Sequence, residues 1–174
     1  MNNLPAQGKL IVLLLTLGLF ACGEEPAPSG DVTFSFDNWA GPAIPVSLYV
    51  PEAVDASTPI VIVMHGASRD LPRYYGDWRV EGEKHGFIVV VPHFSKDHFA
   101  TSEHYNLGHV FDPDTGVQRP PSEWTFAAIE PLFDAVVGMT ASTRETYTLY
   151  GHSAGSQFVH RFLYYVPGAR ASRA

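Results

Sequence analysis

Thr146-Tyr147-Thr148-Leu149-Tyr150-Gly151-His152-Ser153-Ala154-Gly155-Ser156-Gln157-Phe158-Val159-His160-Arg161-Phe162 reads as a strand that runs, with almost no loop, into a helix. Its first five residues are β-branched, aromatic or apolar, and a helix-compatible stretch begins at Ser153 and continues to about Val166. The junction, Gly151 to Gly155, fits G-x-S-x-G. The pattern alone is common, but a strand that stops and a helix that starts on the serine supply the context a nucleophile elbow needs. In such a turn the serine holds a strained backbone conformation, and its neighbours must be small because strand and helix crowd together. The helix amino terminus also directs N–H groups and the positive dipole end at the serine oxygen. Ser153 is therefore the candidate nucleophile, with Gly151, His152 and Gly155 completing the elbow.

An acyl-transfer site needs donors for an oxyanion, usually from the residue after the nucleophile and from the turn after an earlier strand. Upstream, Pro59 to Met64 and Phe87 to Val91 are continuous β-branched runs, the signature of parallel strands covered on both faces. The first closes with His65-Gly66-Ala67, so the backbone N–H groups of Ala67 and Ala154 are assigned to the hole, with Gly66 setting the loop geometry. His65 is read as a structural histidine bonding the loop backbone. Between the two runs, Leu71 to His85 can form a helix, with Asp70 as cap, Pro72 in its first turn and Gly86 just past its end. Val32–Phe36 and Val46–Val50 alternate as half-buried strands of an entry hairpin. Ser122 is expected to cap a helix from Glu123 to about Gly138, kinked at Pro131, in which Trp124 and Phe126 close the core.

This order of elements resembles the amino-terminal half of an α/β-hydrolase fold, a mostly parallel sheet with helices on both faces. Met64-His65-Gly66, Ser122-Glu123-Trp124-Thr125-Phe126-Ala127-Ala128-Ile129-Glu130-Pro131 and the Gly151 to Phe162 stretch resemble the exported hydrolases grouped with polyhydroxybutyrate depolymerases and related esterases. The resemblance implies hydrolysis of small-molecule or polymeric carboxylic esters through an acyl-enzyme on Ser153, with no cofactor and no metal. In that fold the triad acid and histidine follow the serine along the chain. Here the few residues after Ser153 are expected to belong almost wholly to its own helix, so both partners are absent. His160 lies two helical turns beyond Ser153 on the same rigid helix and cannot reach its hydroxyl, and the His152 side chain is expected to point away. A fragment of a longer hydrolase is the expectation, with residues 31–174 a partial domain whose nucleophile strand forms an exposed apolar edge. A non-catalytic surface lipoprotein that works by binding, or a truncated product without function, are the alternatives.

The first residues form an address. Lys9 precedes an apolar run from Leu10 to Phe20, about half of the ~20 residues a spanning helix requires. Leu19-Phe20-Ala21-Cys22 resembles a bacterial lipobox, so residues 1–21 are read as a lipoprotein-type signal peptide and Cys22 as the lipidation site. Two acyl chains suffice for stable anchoring, and residues 22–30, with their Pro, Ser and Gly, complete anchor and tether. This describes an exported bacterial lipoprotein facing periplasm or exterior, the outer membrane being preferred because Gly23 replaces the aspartate of an inner-membrane retention signal.

Composition narrows the remaining classes. With 45% hydrophobic and 17% charged residues, the 174-residue chain is neither disordered nor polytopic. Eleven basic against 18 acidic residues give a net charge of -7, with no basic cluster, so a nucleic-acid partner is excluded. One cysteine excludes a disulfide framework. His93, His98, His104 and His109 in the long Pro92–Pro121 stretch share no helix face and are expected to be solvated loop residues, and Asp112 to Gly116 is expected to be a turn. Oligomeric state is not legible.

Overall fold

The computed structural model describes residues 27–174. The signal peptide, the lipidation site at Cys22 and most of the tether expected from the sequence therefore lie outside the described residues. A six-stranded sheet organises the rest, in the order β1-β2-β4-β3-β5-β6, built from β1 (Gly30–Phe36), β2 (Ile44–Val50), β3 (Ile60–Met64), β4 (Ile88–Pro92), β5 (Tyr147–Gly151) and β6 (Ala171–Arg173). The first two pairings in that order are antiparallel and the other three parallel. Helix α1 (Leu71–His85) covers one face, where Tyr49, Val61, Val63, Val89 and Val91 form a small core against Leu71, Tyr74 and Trp78. Helices α2 (Ile129–Met139) and α3 (Ala154–Tyr165) close the larger core on the opposite face.

Strands β3 and β4 are buried along their whole length, as their unbroken apolar runs require. β1 alternates exposed and half-buried positions, as expected of an edge strand. β2 does not alternate: it starts two residues earlier than expected, at Ile44, and from Val46 onward both its faces are buried, because it lies between β1 and β4 and α1 reaches across Tyr49. Helix α1 follows the sequence closely. The Asp70 carboxylate accepts from the Arg73 amide at 3.3 Å, and Gly86 ends the helix at φ 69°, a left-handed conformation cheap only for glycine.

The helix expected from Glu123 is corrected. Pro121–Glu123 and Thr125–Ala128 are two short 3₁₀ turns, and α2 begins only at Ile129, with no side-chain cap from Ser122. Pro131 consequently lies in the first turn of α2, where its missing N–H has no intrahelical acceptor to lose, so it sets no interior kink. Trp124 and Phe126 are buried in the core, as expected. The long segment between β4 and α2 also inserts Phe94, Phe99, Tyr105 and Val110 into the main core.

The expected exposed edge at β5 is corrected in part. After α3 the chain returns as β6, which pairs parallel with β5 at Tyr147 and Thr148. A clasp fixes this return. Arg170 donates from its amide (3.0 Å) and Nε (2.5 Å) to the Glu130 carboxylate, pairs with Asp134 at 2.7 Å and lies 4.7 Å above the Phe133 ring. Tyr147 Oη donates to the same Glu130 carboxylate.

Candidate active site

From β3 the chain crosses through α1 to β4 on one side, then through α2 to β5 on the other. Such a reversal opens a crevice at the carboxyl ends of the two central strands, where open α/β sheets bind ligands. The register places Met64 of β3 opposite Gly151 of β5. His65-Gly66-Ala67 and His152-Ser153-Ala154 leave those two ends side by side, so the two sequence motifs meet.

Ser153 occupies φ 55°, ψ -117°, a region strained for any residue with a side chain, and it is exposed. The crowding that forces this turn is measurable at its glycines. A Cβ on Gly155 would lie 2.1 Å from the Met64 carbonyl oxygen, and one on Gly151 would lie 2.4 Å from the Gly155 backbone. A Cβ on Gly66 would lie 3.6 Å from Ser153 Cβ and 2.8 Å from Tyr74 Oη. The loop after β3 thus runs directly beside the serine. Neither the Ala67 nor the Ala154 amide donates to a backbone acceptor among the described residues, whereas the Gly155 amide bonds to His152 O and the Gln157 amide to Ser153 O. Two free donors therefore flank a strained, accessible serine.

His65 behaves as a structural histidine. It is fully buried, its Nε2 accepts from the Phe94 amide at 3.1 Å, and Nδ1 lies 3.2 Å from Gly66 O. Burial pushes its imidazole down to about 4, so it stays neutral through the physiological range. Tyr105 Oη donates to His65 O at 2.7 Å, and the Arg69 guanidinium lies 3.8 Å above the Tyr105 ring while donating to Phe99 O. Arg69 itself holds φ 62°. This brace on the loop after β3 was not read from the sequence, because Arg69, Phe99 and Tyr105 are brought together by the long loop and share no motif. His152 is turned toward α1, its Nδ1 2.7 Å from Tyr74 Oη. The other hydrogen-bonded or ion-paired histidine rings among the described residues go to Glu81, Thr101 and Glu103, so none of these rings is bonded to Ser153.

His98 is exposed, as expected, but the other three loop histidines are engaged. His93 packs edge-on against His65 at 5.8 Å, and His104 and His109 stack at 4.9 Å against Glu103. Asp112 does form the expected turn, accepting from the amides of Asp114 and Thr115.

No protein-family model and no curated protein matches the chain by sequence. Solved structures do match. The chain is similar to poly(aspartic acid) hydrolase-1 from Sphingomonas sp. KT-1, with 44% identity and a TM-score of 0.81 over 84% of this chain and 55% of that one. It is similar to the poly(3-hydroxybutyrate) depolymerase LpqC from Bordetella parapertussis, with 29% identity and a TM-score of 0.75 over 83% of this chain and 50% of that one. An acetyl xylan esterase from Aspergillus awamori, at 17% identity and a TM-score of 0.60 over 82% of this chain and 49% of that one, shares the fold. The chain spans about half the length of these proteins.

Proposed function

From the premise that the chain carries an α/β-hydrolase fold of the polyhydroxybutyrate depolymerase-like kind, we propose that it contributes the nucleophile half of a serine hydrolase that cleaves carboxylic esters through an acyl-enzyme. The observation that carries this reading is Ser153 at φ 55°, ψ -117°, on the helix start and beside Gly66. Ser153 Oγ attacks the ester carbonyl, the carbonyl oxygen gains negative charge, and the amides of Ala67 and Ala154 donate to it. Collapse of the tetrahedral species expels the alcohol and leaves an ester on Ser153, which water then hydrolyses. Proton transfer at both steps needs a base near Oγ. The neutral His65 is committed to Phe94 and His152 to Tyr74. The base and its acid partner are therefore assigned to sequence beyond the nucleophile helix, in a form of the length that the structural neighbours have.

The substrate class is a small or polymeric ester. The 44% identical neighbour, a hydrolase of poly(aspartic acid), favours a carboxylate-bearing polymer as second reading, although the net charge of -7 gives such a polyanion no long-range steering. Export and a lipid anchor at Cys22 complete the proposal, on the sequence of residues 1–30. Among the described residues no helix is long and apolar enough to cross a membrane.

A fluorophosphonate probe followed by peptide mass mapping tests the nucleophile. In a longer form that carries a downstream acid and histidine, Ser153 is expected to label and Ser153→Ala to be inert. In the 174-residue chain labelling is expected to be slower by orders of magnitude. A folded longer form whose Ser153 stays unlabelled would overturn the reading.

A further inference from the structure

Glu103, His104 and His109 bring one metal-ligating atom each to within 4.8 Å of the other two, and their side chains are hydrogen-bonded to one another and to Thr101 with no bond to an elbow residue. Both imidazoles bring Nδ1 to the same carboxylate, His109 at 2.7 Å from one oxygen and His104 at 3.2 Å from the other, with Thr101 Oγ1 2.8 Å from the same His104 nitrogen. Donor atoms around a four-coordinate zinc ion are spaced by about 3.3 Å, given Zn–N bonds of about 2.0 Å. The His104 pair is already at that spacing, and the His109 pair has to open by about half an ångström to reach it. We propose that these three residues bind a divalent transition-metal ion of the zinc type, clamping the long loop between β4 and α2.

The sequence spacing argued against this, because the histidines share no helix face. What unites them is a turn with positive φ at Gly108 (76°) and His109 (55°), which folds the chain back on Glu103. The His109 amide closes the turn by donating to Glu103 O at 2.9 Å. Thr125 holds the turn at two more points, donating from Oγ1 to His104 O at 2.7 Å and from its amide to Gly108 O at 2.8 Å. A ligand set on a turn held this way loses little freedom on binding an ion. Two imidazoles and a carboxylate suit zinc, nickel or copper better than magnesium or calcium, which prefer all-oxygen shells. Beside the cluster lies a cavity of about 250 Å3 lined by Trp39, His98, His104, His109, Glu123 and Thr125, which leaves room for water on the open side of the ion.

Calorimetric titration of the full chain with zinc chloride is expected to show one equivalent binding at micromolar or tighter Kd, with no heat from magnesium. His109→Asn keeps a residue that tolerates positive φ, and it and Glu103→Gln are each expected to weaken binding about tenfold or more with the far-ultraviolet circular dichroism unchanged. Zinc is also expected to shield His104 and His109 of the unaltered chain from carbethoxylation by diethyl pyrocarbonate, a readout that needs no variant to fold. Absence of zinc binding by a folded chain, undiminished binding in the variants, or carbethoxylation of both histidines at saturating zinc would each show that Glu103 is only a hydrogen-bond acceptor for two rings.

Discussion

His65 couples the site to pH chiefly through burial, with the nearby charges of Arg69 and His93 acting in the same direction. In the unfolded chain its imidazole titrates near 6.5, and in the folded chain near 4. Above about pH 6.5 both states hold it neutral and it is indifferent to pH. As pH falls from about 6.5 to about 4 the unfolded state takes up a proton that the folded state refuses, so stability falls over that window, by roughly 3 kcal/mol in total. Urea unfolding at pH 7.5 and pH 4.5 checks this: the folded chain is expected to lose most of that amount, and His65→Gln to lose less over the same interval. Gly155 makes a sharper prediction. A methyl group there meets the Met64 carbonyl oxygen at 2.1 Å and the His65 carbonyl oxygen at 2.7 Å, which are backbone atoms of the sheet and its exit and cannot swing aside. Gly155→Ala is expected to destabilise by about 3 kcal/mol, read as a lowered urea midpoint with an unchanged slope. The elbow pattern was legible because its residues are adjacent in sequence. The Arg69–Tyr105–His65 brace was not, because the contacts that create it span the long loop.

Among the elements, α1 was fully legible because its stop signals are local: a capping aspartate, an early proline, a left-handed glycine. The start of α2 was misplaced because Ser122 and Glu123 imitate a cap while Trp124 sits in extended backbone at φ -68°, ψ 141°, where its buried indole donates to Arg119 O. Tertiary burial of one aromatic ring overrode the local signal. β6 escaped notice because Ala171-Ser172-Arg173 has neither apolar run nor alternation; it is placed by the clasp before it. Glu130 is the hub of that clasp, and its loss is expected to be felt at two elements together. Glu130→Gln keeps the shape but removes the charge that Arg170 faces, at a cost of roughly 1–2 kcal/mol given partial solvent access. Hydrogen exchange is expected to quicken in β6 and the first turn of α2 while α1 is unaffected; uniform quickening throughout the sheet would argue that the clasp is not local.

At the scale of the whole molecule, fold class and layer order followed from the β-branched runs and the helices between them, and the TM-scores of 0.81 and 0.75 bear them out. The outer side of β5 is the exception. β6 pairs only with Tyr147 and Thr148, so among the described residues Leu149 to Gly151 have no strand on that side, and Tyr150 is 38% exposed. A partly bare central-type strand invites pairing between chains. Size-exclusion chromatography with light scattering is therefore expected to show mass rising with concentration, and a constant monomer mass over roughly a hundredfold range would count against it. The arrangement of β3 between β4 and β5 has one more consequence, in time and not in space. β3, α1 and β4 are consecutive and can assemble as soon as they leave the ribosome, whereas β5 emerges only after the long loop and α2. During synthesis the loop of Gly66 and Ala67 is thus expected to take shape before β5 arrives beside β3. The serine is expected to reach its positive-φ backbone only when β5 docks, after the donor loop and before any base supplied from beyond α3.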